Sequence, residues 1–231
     1  MSTIDRAEPR TLPPLAAGQR LDQKTFHDRY EAMPPGTWAE LVGGTVYMPS
    51  PLRNDHGEND QSLSYWLVHY KRYTRGLRGG TNVTTILGGP REVQPDQQLR
   101  IPVELGGLTR LIDGYVTGPP ELVVEVARSS KPFDLGVKKN DYERAGVPEY
   151  LFVGLDPEEV RWFVRRDGRF AELPPGPDGI YRSEVFPGLW LDAKALFDDD
   201  LDRLIAVLDQ GIATAEHAAF VDRLSKAGRR T

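Results

Sequence analysis

The sequence predicts an α/β (α+β) protein, a mixed β-sheet flanked by helices. Two observations lead there. Read along the chain, the elements fall in the order helix, strand, strand, strand, helix, strand. The stretch from Glu121 to Val153 also reads as a strand-helix-strand unit. It has an apolar strand (Glu121-Leu-Val-Val-Glu-Val-Ala127), a helix opened by Asp134 and closed by Gly146 and Pro148, and a second strand (Tyr150-Leu-Phe-Val153).

The elements follow from local chemistry. Residues 1–20 carry Pro9, Pro13 and Pro14 with little periodicity and read as a flexible tail or strap. Leu21 to Met33 is predicted helical, with Phe26 and Tyr30 four apart, until Pro34-Pro35-Gly36 stops it. Trp38 to Met48 is predicted to be an N-terminal hairpin, because Gly43-Gly44 supplies the positive φ angles of a two-residue turn. Asn54 or Asp55 caps a long helix to about Tyr73, whose inner face carries Leu63, Leu67 and Tyr70 with Trp66 beside them. Gly79-Gly80 reads as a break before a strand over Thr81–Leu87, and Glu92–Ile101 as a second strand bent at Pro95. A small hairpin is expected around Asp113-Gly114, and another (Val160–Val164 with Arg169–Glu172) around Asp167-Gly168. From residue 197 to 231 the pattern becomes a C-terminal helical extension, with Leu201, Leu204, Ile205 and Leu208 on one helix and Glu216–Leu224 on the next.

Composition narrows the class. The chain has 231 residues, 39% hydrophobic and 27% charged, enough for one domain with its own core. No apolar run approaches a membrane span, the first ten residues lack a signal-peptide pattern, and there is no cysteine, so a cytoplasmic protein with no membrane partner is expected. A net charge of −5 argues against a surface that coats nucleic acid indiscriminately, but leaves room for a local basic strip. The best such strip is Lys71, Arg72, Arg75 and Arg78 interleaved with Tyr70 and Tyr73, followed by the Arg165-Arg166-Asp-Gly-Arg169 hairpin.

Chemistry concentrates on few residues. Glu125 lies between Val124 and Val126, where a core strand ordinarily carries another aliphatic residue, so it must be paired, coordinated, protonated or placed at a strand end. An edge-strand glutamate or a structural ion pair is the plain alternative. Asp96 follows Pro95, and Pro-Asp is by itself a common turn dipeptide. As a pair on neighbouring strands, Asp96 and Glu125 offer hard oxygen ligands that suit Mg²⁺ or Mn²⁺. Lys138 lies one helical turn beyond Asp134, with Tyr142 a turn further on. That spacing suits a surface ion pair, while the short loop between Glu125 and this helix can return the ammonium beside the strand to orient water and stabilise developing charge. Glu40 and His56 are read first as solvated or capping groups. No nucleophile elbow, P-loop or dinucleotide fingerprint is present.

Together these segments resemble the PD-(D/E)XK restriction-endonuclease-like superfamily, and more closely a bacterial endonuclease family long classed as a domain of unknown function. The resemblance is carried by Glu40-Leu-Val-Gly-Gly44, Ser50-Pro51 with His56, Val93-Gln-Pro-Asp96, Leu122-Val-Val-Glu-Val126, Asp134 with Lys138 and Tyr142, Ala145-Gly-Val-Pro-Glu-Tyr150, and Ser183-Glu-Val-Phe-Pro-Gly-Leu-Trp-Leu191. It spans about residues 21–196. It implies a restriction-endonuclease-like core in which Asp96 and Glu125 ligate Mg²⁺ (or Mn²⁺), with the Val126 carbonyl as a further ligand. Lys138 would serve in place of the superfamily lysine, whose usual position holds Ala127, and Glu40 and His56 would stand in supporting roles. The chain departs from the family at Arg128-Ser-Ser-Lys131 and at Thr45. The expected activity is Mg²⁺-dependent hydrolysis of phosphodiester bonds in DNA, with a homodimer or higher homo-oligomer a natural arrangement for cutting two strands. The alternatives are a catalytically silent nuclease-fold module that binds nucleic acid or protein, and a phosphodiesterase on small nucleotide substrates.

Overall fold

The computed structural model describes residues 12–48, 54–128 and 130–229, with the side chains of residues 54–56 outside that description. Asp22 caps helix α1 (Gln23–Glu31), its carboxylate accepting from the Thr25 backbone N–H at 2.9 Å, and Phe26 is the residue α1 buries. Strands β1 (Glu40–Val42) and β2 (Thr45–Tyr47) form the expected hairpin, turned at Gly43 (φ 57°) and Gly44 (φ 78°). Residues 12–20 lie against that hairpin: Leu15 is buried, the Gly18 N–H donates to the Val46 carbonyl at 2.8 Å, and the Val46 N–H donates to the Gln19 carbonyl at 2.8 Å.

Helix α2 (Asn54–Tyr73) buries Leu63, Trp66, Leu67 and Tyr70, as its periodicity requires. The next expectation needs correction. Gly79-Gly80 does not break the chain but lies within strand β3 (Arg78–Thr81), and Thr81–Leu87 is not one strand. The chain turns at Asn82 (φ 53°) and continues as β4 (Thr85–Ile86) in a different sheet. The bend at Pro95 is likewise a change of sheet, between β5 (Glu92–Val93) and β6 (Gln97–Arg100). Strands β7 (Arg110–Ile112) and β8 (Tyr115–Thr117) flank the Asp113-Gly114 turn, and β9 (Leu122–Ala127) follows, buried throughout.

The helix after β9 also departs from expectation. Asp134 is not its N-cap; the helix starts a turn earlier as α3 (Lys131–Phe133), with proline in its first turn. It passes through a π-helical turn (Asp134–Lys138) and ends as α4 (Lys139–Ala145), closed by Gly146 at φ 89°. Strands β10 (Glu149–Leu155), β11 (Glu158–Arg166) and β12 (Arg169–Leu173) complete the central sheet, and β13 (Ile180–Arg182) pairs with β14 (Trp190–Asp192). Helices α5 (Ala193–Phe197), α6 (Leu201–Ile212) and α7 (Ala215–Gly228) follow.

The central sheet runs β12-β11-β10-β9-β6-β3, with β9 and β10 parallel and the other neighbours antiparallel. A second sheet runs β2-β1-β5-β4-β8-β7. Alternation along β9 divides the interior. Val124 and Val126 face α2 and share one apolar cluster with Trp66, Trp162, Phe186, Leu204 and Leu208, so α6 packs into the same core as α2. Val123 and Ala127 face the other way, towards Tyr142, Tyr150 and Phe152. Among the described residues no single helix is long and apolar enough to cross a membrane.

Candidate active site

Glu125 points to the same side of β9 as Val123, into the layer covered by the π-turned helix. It is 4% exposed and cannot rely on water for its charge. Two groups from that helix meet it on one oxygen: Lys138 Nζ lies 2.7 Å from Oε1, and the Tyr142 hydroxyl donates to the same atom at 2.5 Å. Lys138 Nζ is also 3.2 Å from Oε1 of Glu40, on β1. Glu40 Oε1 in turn accepts from the Gln94 backbone N–H at 2.8 Å, which ties the hairpin to the segment before Asp96.

Asp96 reaches the same place by register. Gln97 pairs with Val124 and Gln98 with Val123, so one step further along the ladder sets Asp96 across from Glu125. Its Oδ2 accepts from the Val126 N–H at 2.7 Å. The π-turn completes the arrangement by burying both Asp134 and Lys138. Single π-turns inside helices recur at functional sites because the wider turn re-aims side chains that regular winding would carry away.

The electrostatics follow from this crowding. Burial pushes the Glu125 carboxyl well above its ordinary range; Asp96, Asp134 and Glu40 add to the rise, and Lys138 offsets part of it. Burial also raises Asp134. Burial works against the Lys138 ammonium, but Glu125, Glu40 and Asp134 outweigh it and hold the amine protonated. Three carboxyl groups, Glu125, Glu40 and Asp134, therefore bear on one ammonium, and Asp96 adds negative charge beside Glu125. The donor chemistry fits a hard divalent ion: two carboxylates from neighbouring strands, with room in the coordination sphere for water and a phosphate oxygen. Among the described residues no group of three or more His, Cys, Asp or Glu side chains has metal-site geometry.

Of the residues read from the sequence, Glu40, Asp96, Glu125 and Lys138 come together, with Glu40 buried and paired rather than solvated. His56 falls in α2, but its side chain lies outside the described residues. Tyr70 leaves the proposed basic strip: it is buried, and its hydroxyl donates to the Pro187 carbonyl at 2.8 Å. In the Arg165–Arg169 hairpin, Arg166 pairs with Glu184 and Arg169 with Glu143, so those charges are already met within the chain. Asp141 was missed. It is buried one turn beyond Lys138, accepts from the Gly43 N–H at 2.5 Å and lies 3.2 Å from Arg91 Nε, fastening the β1–β2 turn to the helix that carries Lys138. Nothing local marks it, since Gly43 is 98 residues away.

The comparisons with known proteins agree with this architecture. No curated protein matches the chain. The crystal structure of a putative nuclease from Anabaena variabilis superposes with a TM-score of 0.58 at 14% identity, over 74% of this chain and 96% of that one. At that identity the likeness speaks for the fold alone. The model of the Uma2 family, described as "Putative restriction endonuclease", matches residues 25–194. With that match over most of its length, the chain belongs to the Uma2 family.

Proposed function

We propose that this chain is a Mg²⁺- or Mn²⁺-dependent endonuclease that hydrolyses phosphodiester bonds in DNA, with Asp96 and Glu125 as the metal-binding carboxylates. The observation that carries the reading is the buried Lys138 ammonium, held between Glu125 and Glu40 beside the strand position of Asp96. A bound divalent ion would supply Lewis-acid stabilisation of the phosphoryl oxygens and a more acidic water.

The chain's own groups do the rest. The Val126 N–H fixes Asp96, and the Tyr142 hydroxyl and Lys138 both fix Glu125 at Oε1, so Oε2 would be the oxygen left to hold a cation. Because its neighbouring carboxylates keep it protonated, Lys138 acts as a fixed positive charge that orients water and stabilises the charge developing on the phosphate, rather than as a base. Glu40 holds that charge in place. The reading includes a cytoplasmic setting and a homodimer, since two strands of a duplex call for two symmetric sites.

The test is nicking of supercoiled plasmid by the purified chain with Mg²⁺ or Mn²⁺. Cleavage that is abolished by chelation and by Asp96→Ala or Glu125→Gln supports the reading. Turnover of a small phosphodiester without any nicking of plasmid would replace DNA with a small-nucleotide substrate.

A further inference from the structure

The edge of the central sheet carries a feature that the proposed chemistry does not use. Strand β3 is the edge strand, and Arg78 on it stands directly opposite Arg100 on β6. Residues paired across an antiparallel ladder share a face, so two guanidinium-bearing chains are held side by side. Like charges in that relation repel. Burial lowers the Arg100 pKa and Arg78 lowers it further, against an opposing pull from Glu121.

Glu121 does not close the account, because its two oxygens accept from the Ile101 N–H at 2.6 Å and the Leu108 N–H at 2.8 Å. Among the described residues neither arginine has an ion-paired carboxylate, whereas Arg91, Arg161, Arg166 and Arg169 each have one. A single charge on an edge strand is ordinary protection against pairing with another chain. A second guanidinium on the inner strand adds repulsion without adding protection.

The surroundings suit a polyanion. Gly79 and Gly80 follow Arg78 and add no side chain to that edge, although Val83 packs over Gly80, and Arg75 is exposed just before it. The other end of β3 leads to the candidate site: the Asn82 N–H donates to the Asp96 carbonyl at 3.2 Å. Val83 and Thr85 cover Gln98 between the two places, the Gln98 amide donating to Thr85 Oγ1 at 3.0 Å, so a path from one to the other runs along the outer edge. Asp96 and Arg100 are four residues apart on an extended segment, about 13 Å.

The geometry points to Arg78 and Arg100 as a phosphate-binding subsite that holds the DNA backbone along the β3 edge, to one side of the bond cut at Asp96 and Glu125. This rests on the proposed DNA-cleaving function. The subsite reads no sequence; it fixes where the duplex lies.

The experiment measures binding of a fluorescent duplex of about 20 base pairs to the full chain, from about 50 to about 200 mM salt. Plasmid nicking by the unsubstituted chain is run alongside. Two lost phosphate contacts lower the slope of log K against log salt by about 1.8, so the affinity lost across that range becomes about twelvefold smaller in Arg78→Gln/Arg100→Gln. The same double variant melts no lower than the parent, because relieving the repulsion costs nothing. Arg161→Gln/Arg166→Gln, which removes the same charge from arginines already paired, keeps the parental slope. If the Arg78/Arg100 variant keeps the parental slope while the parent nicks plasmid, the subsite is wrong and the function stands. An equal fall in both double variants would reduce the effect to net charge and overturn the subsite. Loss of self-association with unchanged DNA binding would assign the edge to a second copy of the chain. A parent that neither binds nor nicks DNA removes the function and the subsite with it.

Discussion

Replacing Lys138 with methionine keeps most of the side chain's volume and removes its charge, and the geometry gives the expected cost. Nζ lies 2.7 Å from Glu125 Oε1 and 3.2 Å from Glu40 Oε1. At an effective dielectric of about 20, those separations correspond to attractions of about 6 and about 5 kcal/mol. Several kcal/mol of desolvation per ion oppose them. Deleting one member of such a pair leaves the others uncompensated and ordinarily costs about 3–5 kcal/mol, a large part of the stability of an ordinary domain. Lys138→Met is therefore expected to lower the unfolding free energy by about that amount in urea titrations at neutral pH without metal. Mg²⁺ should restore more stability to the variant than to the parent, because the cation takes over the missing charge. Cleavage by the metal-loaded variant should fall about 10²- to 10³-fold, the usual loss for one fixed electrostatic group. A variant that nicks plasmid within about threefold of the parent would refute the role given to Lys138.

Three further outcomes follow from individual contacts. Asp141→Ala removes the acceptor for the Gly43 N–H and the partner of Arg91, which is itself 18% exposed and can recover some hydration; the expected loss is about 2–3 kcal/mol by urea denaturation, and a loss under about 0.5 kcal/mol would contradict the clamp. Glu149 is lifted by burial from 4.5 to about 7, against hydrogen bonds from Ser183 and from the backbone of Glu184 and Val185. The folded chain thus keeps that proton longer than the unfolded chain, and the group's contribution falls by about 3 kcal/mol as pH rises from about 4.5 to about 7; stability curves of parent and Glu149→Gln should separate over that window, and parallel curves would contradict the shift. Finally, Mg²⁺ at about a hundred times its Kd should stabilise the parent by about 2.7 kcal/mol and Asp96→Ala far less, measured as the rise in Tm, whereas equal rises would detach the metal from Asp96.

What the sequence revealed was mostly local. The turns at Gly43-Gly44, Asp113-Gly114 and Asp167-Gly168 were legible because positive φ angles restrict which residues can occupy them. Glu125 stood out because a carboxylate inside a run of valines has few stable fates. The errors arose where distant partners decide. Gly79-Gly80 read as a break, because glycine weakens a strand, yet pairing with Leu99 and Gln98 on β6 keeps it extended. Asp134 reads as a cap, but Pro132 sits in the first turn of a helix that starts earlier; the π-turn itself answers to the burial of Asp134 and Lys138, which no spacing announces. Asp141 and the opposition of Arg78 and Arg100 depend on register between segments that are remote or differently paired, so composition and periodicity cannot find them.

The central claim is that Asp96 and Glu125 share one divalent ion, and the most direct measurement is an anomalous difference map from crystals soaked in Mn²⁺. The account predicts a peak within roughly 2.2 Å of a carboxylate oxygen of each residue, lost in Glu125→Gln. A well-ordered Mn²⁺ bound elsewhere, with Asp96 and Glu125 still contacting only protein groups, would contradict it.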